Sequence, residues 1–213
     1  FLSGDLRQHA DEVRNTCHAN CEWIMANGGS SPGTAHIVNF DSPHFEKNPT
    51  LGGRDILREY LPPAQAVGIH LIAYVNLHWF SYKFAAQHPG WEQMQADGVS
   101  YGKAHPLYGN GTTMCVNSPW RDFAFLLLSE VMITGVEGVF LDGPVVFPGA
   151  CYCETCLDQF KAQTGFDAPK EENWSNEWKA WVDFREDSMQ RFVRDARRAV
   201  RETNDEGIIF CNA

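Results

Sequence analysis

Apolar residues in this chain follow two rhythms. Short, near-continuous runs read as buried strands: "CEWIMAN" at 21–27, the first part of "GIHLIAYVNLHWF" at about 69–76, "VEGVFLD" at 136–142 and "GIIFCNA" at 207–213. Elsewhere apolar positions return every three to four residues, the spacing of one helix face. That spacing predicts a helix over 5–18 and another from near Gly53 toward Gly68, bent or restarted by Pro62 and Pro63. Ser118 and Pro119 open a third, "WRDFAFLLLSEVMIT", which stops at Gly135. "ETCLDQFKAQTG" makes a short helix closed by Gly165, and 176–203 a long one carrying Trp178, Trp181, Val182, Met189, Phe192, Val193, Ala196 and Val200. "GGSSPG" at 28–33 is turn chemistry, and "AHIVNF" at 35–40 is a weaker strand or a structured loop. Residues 81–117 are rich in Gly, Pro, His and Tyr and carry one short helix near 81–88; a loop of that length in a compact domain is usually functional.

Strands alternating with helices imply an α/β protein whose parallel sheet is covered on both sides. A doubly wound nucleotide fold would place a Gly-rich phosphate turn after its first strand, and neither G-x-G-x-x-G nor G-x-x-x-x-G-K-[ST] occurs. A (β/α)8 TIM barrel, by contrast, builds its site from residues at the C-terminal ends of its strands, where this chain has Asn27, Asn76 to Trp79, Asp142 and Asn212. Four clear strands rather than eight make 1–213 a single domain that is an incomplete barrel, about strands 2 to 5.

Charge narrows the partners. Seventeen basic residues against 27 acidic ones give a net charge of −10 in 213 residues, which repels phosphate backbones and argues against nucleic acid or an anionic membrane. No apolar run approaches the ~20 residues of a membrane span, and the first 20 residues lack signal-peptide layout. The chain opens on Phe1 without an initiator Met, so a leader or more is expected before it. A homo-oligomer is compatible with this reading.

Three of seven cysteines fall in "CYCETC" as C-x-C-x-x-C, tighter than disulfide scaffolds space them. Cys115, in "GTTMCVNSPW", precedes the helix that leads to the Asp142 strand, and in a parallel barrel it shares a rim with Cys151, giving C-x35-C-x-C-x2-C. Cys115, Cys151, Cys153 and Cys156 therefore form a candidate tetrahedral zinc set, with a disulfide or free thiols as the alternatives. Cys17, Cys21 and Cys211, in or beside apolar segments, read as ordinary buried thiols. Reduced thiols favour a cytoplasmic home.

"MCVNSPW", an acidic residue ending a strand, and "CYCETC" nine residues on resemble the catalytic domain of the β-galactosidases of glycoside hydrolase family 42. The match is stronger to related hypothetical glycosyl hydrolases with barrel domains, and runs in order through "GGRDILREY", "GIHLIAYVNLHW", "HPGWEQMQADG", "MCVNSPWRDF" and "CYCETCLDQFKAQTG". The resemblance implies a carbohydrate substrate and a structural zinc on the four cysteines. It departs at one point: family 42 has Asn-Glu at this strand end, the Glu being its acid/base, whereas here the pair is Leu141-Asp142. A strand-end Asp at this place resembles the nucleophile of retaining α-glycosidases.

Glycoside hydrolysis uses two carboxyl groups, about 5 Å apart when one is the nucleophile and ~6.5–9.5 Å apart when water intervenes. Asp142 is the candidate for one, against the reading that "DGP" is simply a capped turn. The second is not evident; Asp41 is the best-placed loop acid. His78 and Trp79 suit a sugar, an imidazole for hydroxyls and an indole for a pyranose face, although a strand-end Trp is also ordinary core. Asn27, Asn76 and Asn212 are candidate hydroxyl partners, and His36, His44 and His105 read as solvated loop residues.

Overall fold

The computed structural model describes residues 4–29, 33–105 and 111–212. The centres of the 28–33 turn and of the long loop fall outside them.

Helix α1 (Leu6–Asn15) starts at Asp5, whose carboxylate accepts from the amides of Arg7 and Gln8, and leads into β1 (Cys21–Met25). The next segment forms a two-stranded ribbon, β2 (Ile37–Val38) with β3 (Glu46–Lys47). Helix α2 (Ile56–Ala66), capped by Asp55, runs through Pro62 and Pro63, which remove two backbone donors from its second half without ending it. Strand β4 (His70–Asn76) follows. The long loop then folds as β5 (Phe80–Ser81), α3 (Tyr82–Gln87), α4 (Tyr101–Ala104) and β6 (Gly111–Thr112), with β5 antiparallel to β6. Helix α5 (Trp120–Ile133), β7 (Gly138–Asp142), α6 (Glu154–Thr164), α7 (Asn176–Thr203) and β8 (Ile208–Cys211) complete the order. Ser118 stands at the start of α5, where its hydroxyl accepts from the Trp120 amide at 3.3 Å. Its hydroxyl donates to the carbonyl of Cys115 at 2.8 Å, turning the chain toward the cysteines, and the helix starts two residues on.

The main sheet is parallel, in the order β1-β4-β7-β8. An order that never reverses puts right-handed crossovers on one face, as in a barrel wall; a doubly wound sheet reverses at a switch point. The helix-facing side chains Leu71, Ala73, Val75, Val139 and Leu141 are fully buried. Trp120 on α5 stacks on Phe192 of α7 with centroids 5.6 Å apart. Each such large apolar side chain contributes roughly 1.5–3 kcal/mol by leaving water.

The expected cover on both faces is not found among the described residues. The opposite face carries Trp23, Tyr74, Phe140 and Phe210 in ring-to-ring succession, with Trp23 54% and Phe210 45% exposed. Cys21 and Cys211 lie on the two outer strands and Cys17 in the turn after α1, so all three are exposed rather than buried.

Candidate functional site at the C-terminal rim of the sheet

Strands β4 and β7 end in Asn76 and Asp142, and Asn27 and Asn212 follow the ends of β1 and β8 on the same rim. The register pairs Asn76 with Asp142, so the carboxylate stands beside the amide on the neighbouring strand. Both oxygens of Asp142 accept hydrogen bonds, Oδ2 from the Tyr74 hydroxyl and Oδ1 from Asn212 Nδ2 at 2.7 Å. Asn212 is itself oriented, because its Oδ1 accepts from the Gly143 amide at 3.0 Å. Tyr74 is level with Phe140, and its ring reaches Asp142 along the diagonal between strands. Alternation along β4 puts Tyr74 on the Asn76 face, but only the register shows that its hydroxyl meets Asp142.

His78 packs on the turn that follows Asp142. Gly143 has φ +72°, and a Cβ there would lie 2.7 Å from His78 Cγ, so backbone and space both require glycine. The imidazole stacks on Phe147 with centroids 5.4 Å apart. Burial pushes its pKa below the ordinary histidine value, and the nearby Asp142 charge opposes that. The imidazole is thus favoured neutral beside an acidic group.

The other expected contacts sit differently. Asn27 is fully buried; its Nδ2 donates to the carbonyls of Ala35 at 2.6 Å and Asn76 at 2.8 Å, and its Oδ1 accepts from the Asn76 amide. It staples the ends of β1 and β4. Asn76 is half-buried and its Oδ1 accepts from the amides of His78 and Trp79, shaping the rim turn. Trp79 is 4% exposed, and Gly111 lies so close that a Cβ there would meet its indole nitrogen at 2.2 Å; the long loop has folded back over it. Asp41 is on the outer surface, paired with Lys47 at 2.6 Å. Of the three loop histidines, His105 is exposed, His44 is exposed and bonds Glu130, and His36 is half-buried and stacked on Phe84 rather than solvated.

The four expected cysteines converge. The Sγ atoms of Cys115, Cys151, Cys153 and Cys156 all lie within 4.8 Å of one another, and all four residues are buried. A tetrahedral ion about 2.3 Å from each sulfur sets them about 3.8 Å apart, so the cluster could hold a metal ion. Hydrogen bonding to Cys151, then to Cys153 and Cys156, with burial behind them, pushes the Cys115 thiol up. Burial pushes up Cys151, whereas Cys153, accepting from the other three, is pushed down. Full ionisation of such a set therefore calls for a cation. Asn117 braces the sulfurs: its backbone amide donates to Cys115 Sγ at 3.4 Å, and Nδ2 reaches Cys156 Sγ at 3.3 Å and Ser188 Oγ on α7 at 2.9 Å.

Gln93 joins the two sites, and no sequence signal marked it. It is fully buried, its Nε2 donating to the carbonyls of Val145 at 2.6 Å and Met114 at 3.1 Å and its Oε1 accepting from the Phe147 amide at 3.1 Å. The segment from Asp142 to Cys151 is thus held at its middle by Gln93 and at its far end by the cysteines.

The model of a family described as hypothetical glycosyl hydrolase 6 matches residues 7–143, ending one residue after Asp142. No curated protein matches significantly. Among solved structures, the chain is similar to α-L-fucosidase isoenzyme 2 from Paenibacillus thiaminolyticus (22% identity, TM-score 0.68), covering 97% of this chain and 29% of that one. A cold-adapted β-galactosidase from Rahnella sp. R3 follows at 16% and 0.66, covering 98% and 33%. A hypothetical protein from Ruminiclostridium thermocellum, at 13% and 0.60, covers 97% and 90%. At these identities the likeness shows the fold, an α/β barrel-like architecture. The chain spans about three tenths of the fucosidase's length.

Proposed function

This chain belongs to the hypothetical glycosyl hydrolase 6 family, and from that membership we propose that it supplies the catalytic rim of a glycosidase, with Asp142 as a carboxylate that acts on the sugar's anomeric centre. The observation that carries this reading is the arrangement of Asp142 itself: a strand-end acid on the rim, both oxygens held by Tyr74 and Asn212. A carboxylate fixed before the substrate arrives stabilises the developing positive charge of an oxocarbenium-like transition state without reorganising. His78 and Asn76, half-buried beside it, are the candidate contacts for sugar hydroxyls; Asn212 orients Asp142, and Asn27 and Trp79 shape the rim beneath.

The four cysteines would hold one structural zinc. Four thiolates leave no open position for water or substrate, so the ion would supply rigidity rather than Lewis-acid chemistry. Its place at the end of the 143–151 segment would fix the backbone next to Asp142, with the Asn117 bonds to sulfur as supporting contacts.

The test is turnover by the full-length protein of 4-nitrophenyl α-L-fucoside and β-D-galactoside, the classes suggested by the fucosidase and β-galactosidase neighbours. Release of nitrophenol from one of them, at a rate that follows metal content, supports the reading. Saturable sugar binding with no turnover of any favours a second one, a carbohydrate-binding relative without catalysis, to which the ion-paired, outward Asp41 also points.

A further inference from the structure

We infer that Tyr74 is a positioning residue for Asp142, fixing the direction in which its carboxylate meets a bound sugar; this rests on the reading of Asp142 as the group that faces the anomeric centre. The face of the sheet that Tyr74 shares with Trp23, Phe140 and Phe210 is aromatic, and a phenylalanine would fill the same space. What tyrosine adds is a hydroxyl, and that hydroxyl donates to Asp142 Oδ2. The ring is held on two sides, 4.9 Å from Trp23 and 5.5 Å from Phe140 between centroids, so the donor arrives already aimed.

The second oxygen shows that the arrangement is directional. Asn212 Oδ1 is taken by the Gly143 amide, so its NH2 must be the end that faces Asp142 Oδ1. Asp142 therefore receives one donor on each oxygen, the pattern an anionic carboxylate satisfies. A positioned anion recognises a cationic sugar ring better than a neutral one. That difference separates a positioning hydroxyl from a merely structural one.

The experiment is calorimetric titration of the full-length protein with two protonated iminosugars, 1-deoxyfuconojirimycin and 1-deoxygalactonojirimycin, and with neutral fucose and galactose. Tyr74→Phe should weaken the better-bound iminosugar about tenfold, roughly 1.4 kcal/mol, because a carboxylate free to turn meets the ring cation less well, while the matching neutral sugar changes less than about twofold. Equal weakening of both, or of neither, overturns the inference. Asp142→Asn separates the two levels. If it weakens the iminosugar and Tyr74→Phe does not, Tyr74 alone is misassigned. If Asp142→Asn has no effect, or the wild-type protein binds no iminosugar, the parent reading fails and this inference with it.

Discussion

Replacing Gln93 by methionine keeps the length and approximate volume of the side chain and deletes its amide. Four hydrogen bonds disappear: those to the carbonyls of Val145 and Met114, that from the Phe147 amide, and a long one of 3.4 Å to the Thr113 hydroxyl, which adds little. Met114 is 2% exposed, so its carbonyl cannot turn to water and loses roughly 1–3 kcal/mol. Val145 and Phe147 are half-buried, where water restores part of each bond, leaving about 1 kcal/mol apiece. The sum is about 3–5 kcal/mol. With a guanidinium m-value of about 5 kcal/mol/M, high because a chain of this length exposes much surface, the midpoint should fall by about 0.6–1 M at unchanged m. Equilibrium unfolding followed by tryptophan fluorescence, with metal content matched, measures it. A loss below about 1 kcal/mol would refute the reasoning, and would mean that the 143–151 segment is held by its other contacts, the cysteine cluster and the Gly143–Asn212 bond among them.

Changing Cys153 to serine should reduce bound metal from about one ion per chain to near none and lower the thermal midpoint, read by elemental analysis and calorimetry. Gly143→Ala places a methyl against the His78 ring at positive φ; it should cost about 1–3 kcal/mol and reduce turnover of the active nitrophenyl glycoside, whereas full activity would show that this turn is not part of the site. Burial lowers the pKa values of His36 and His78, so below about 6.5 the unfolded chain takes up protons that the folded one resists. Stability from both is therefore fully present above that pH and is lost as pH falls through their lower folded values. His78→Gln should flatten the acid side of a stability-against-pH curve, and an unaltered curve would contradict the burial argument.

Much of the fold was legible because strands read as apolar runs and several helices carry their own boundary chemistry, such as Asp5 at the start of α1 and Gly165 at φ +77° closing α6. The cysteine set was legible for a similar reason, since topology returns Cys115 to the rim of Cys151. What the sequence hid depends on register and on chain folding back. Tyr74 meets Asp142 only through a diagonal between two strands, and Gln93 lies in an aperiodic loop where one buried amide resembles any other. Trp79 reads equally as platform or core until residues 111 and 112 pair over it. Cys21 and Cys211 looked buried because their neighbours are apolar, but they belong to the two outer strands of the sheet.

The most direct test of the central claim compares full-length wild-type protein with Asp142→Asn on the nitrophenyl glycoside that is turned over, at equal metal content and thermal midpoint. Removing a carboxylate that acts at the anomeric centre should lower kcat/KM by about 10³-fold or more, a loss of at least about 4 kcal/mol of transition-state stabilisation. Activity within tenfold of wild type would contradict the claim and leave Asp142 as a turn residue on a barrel rim.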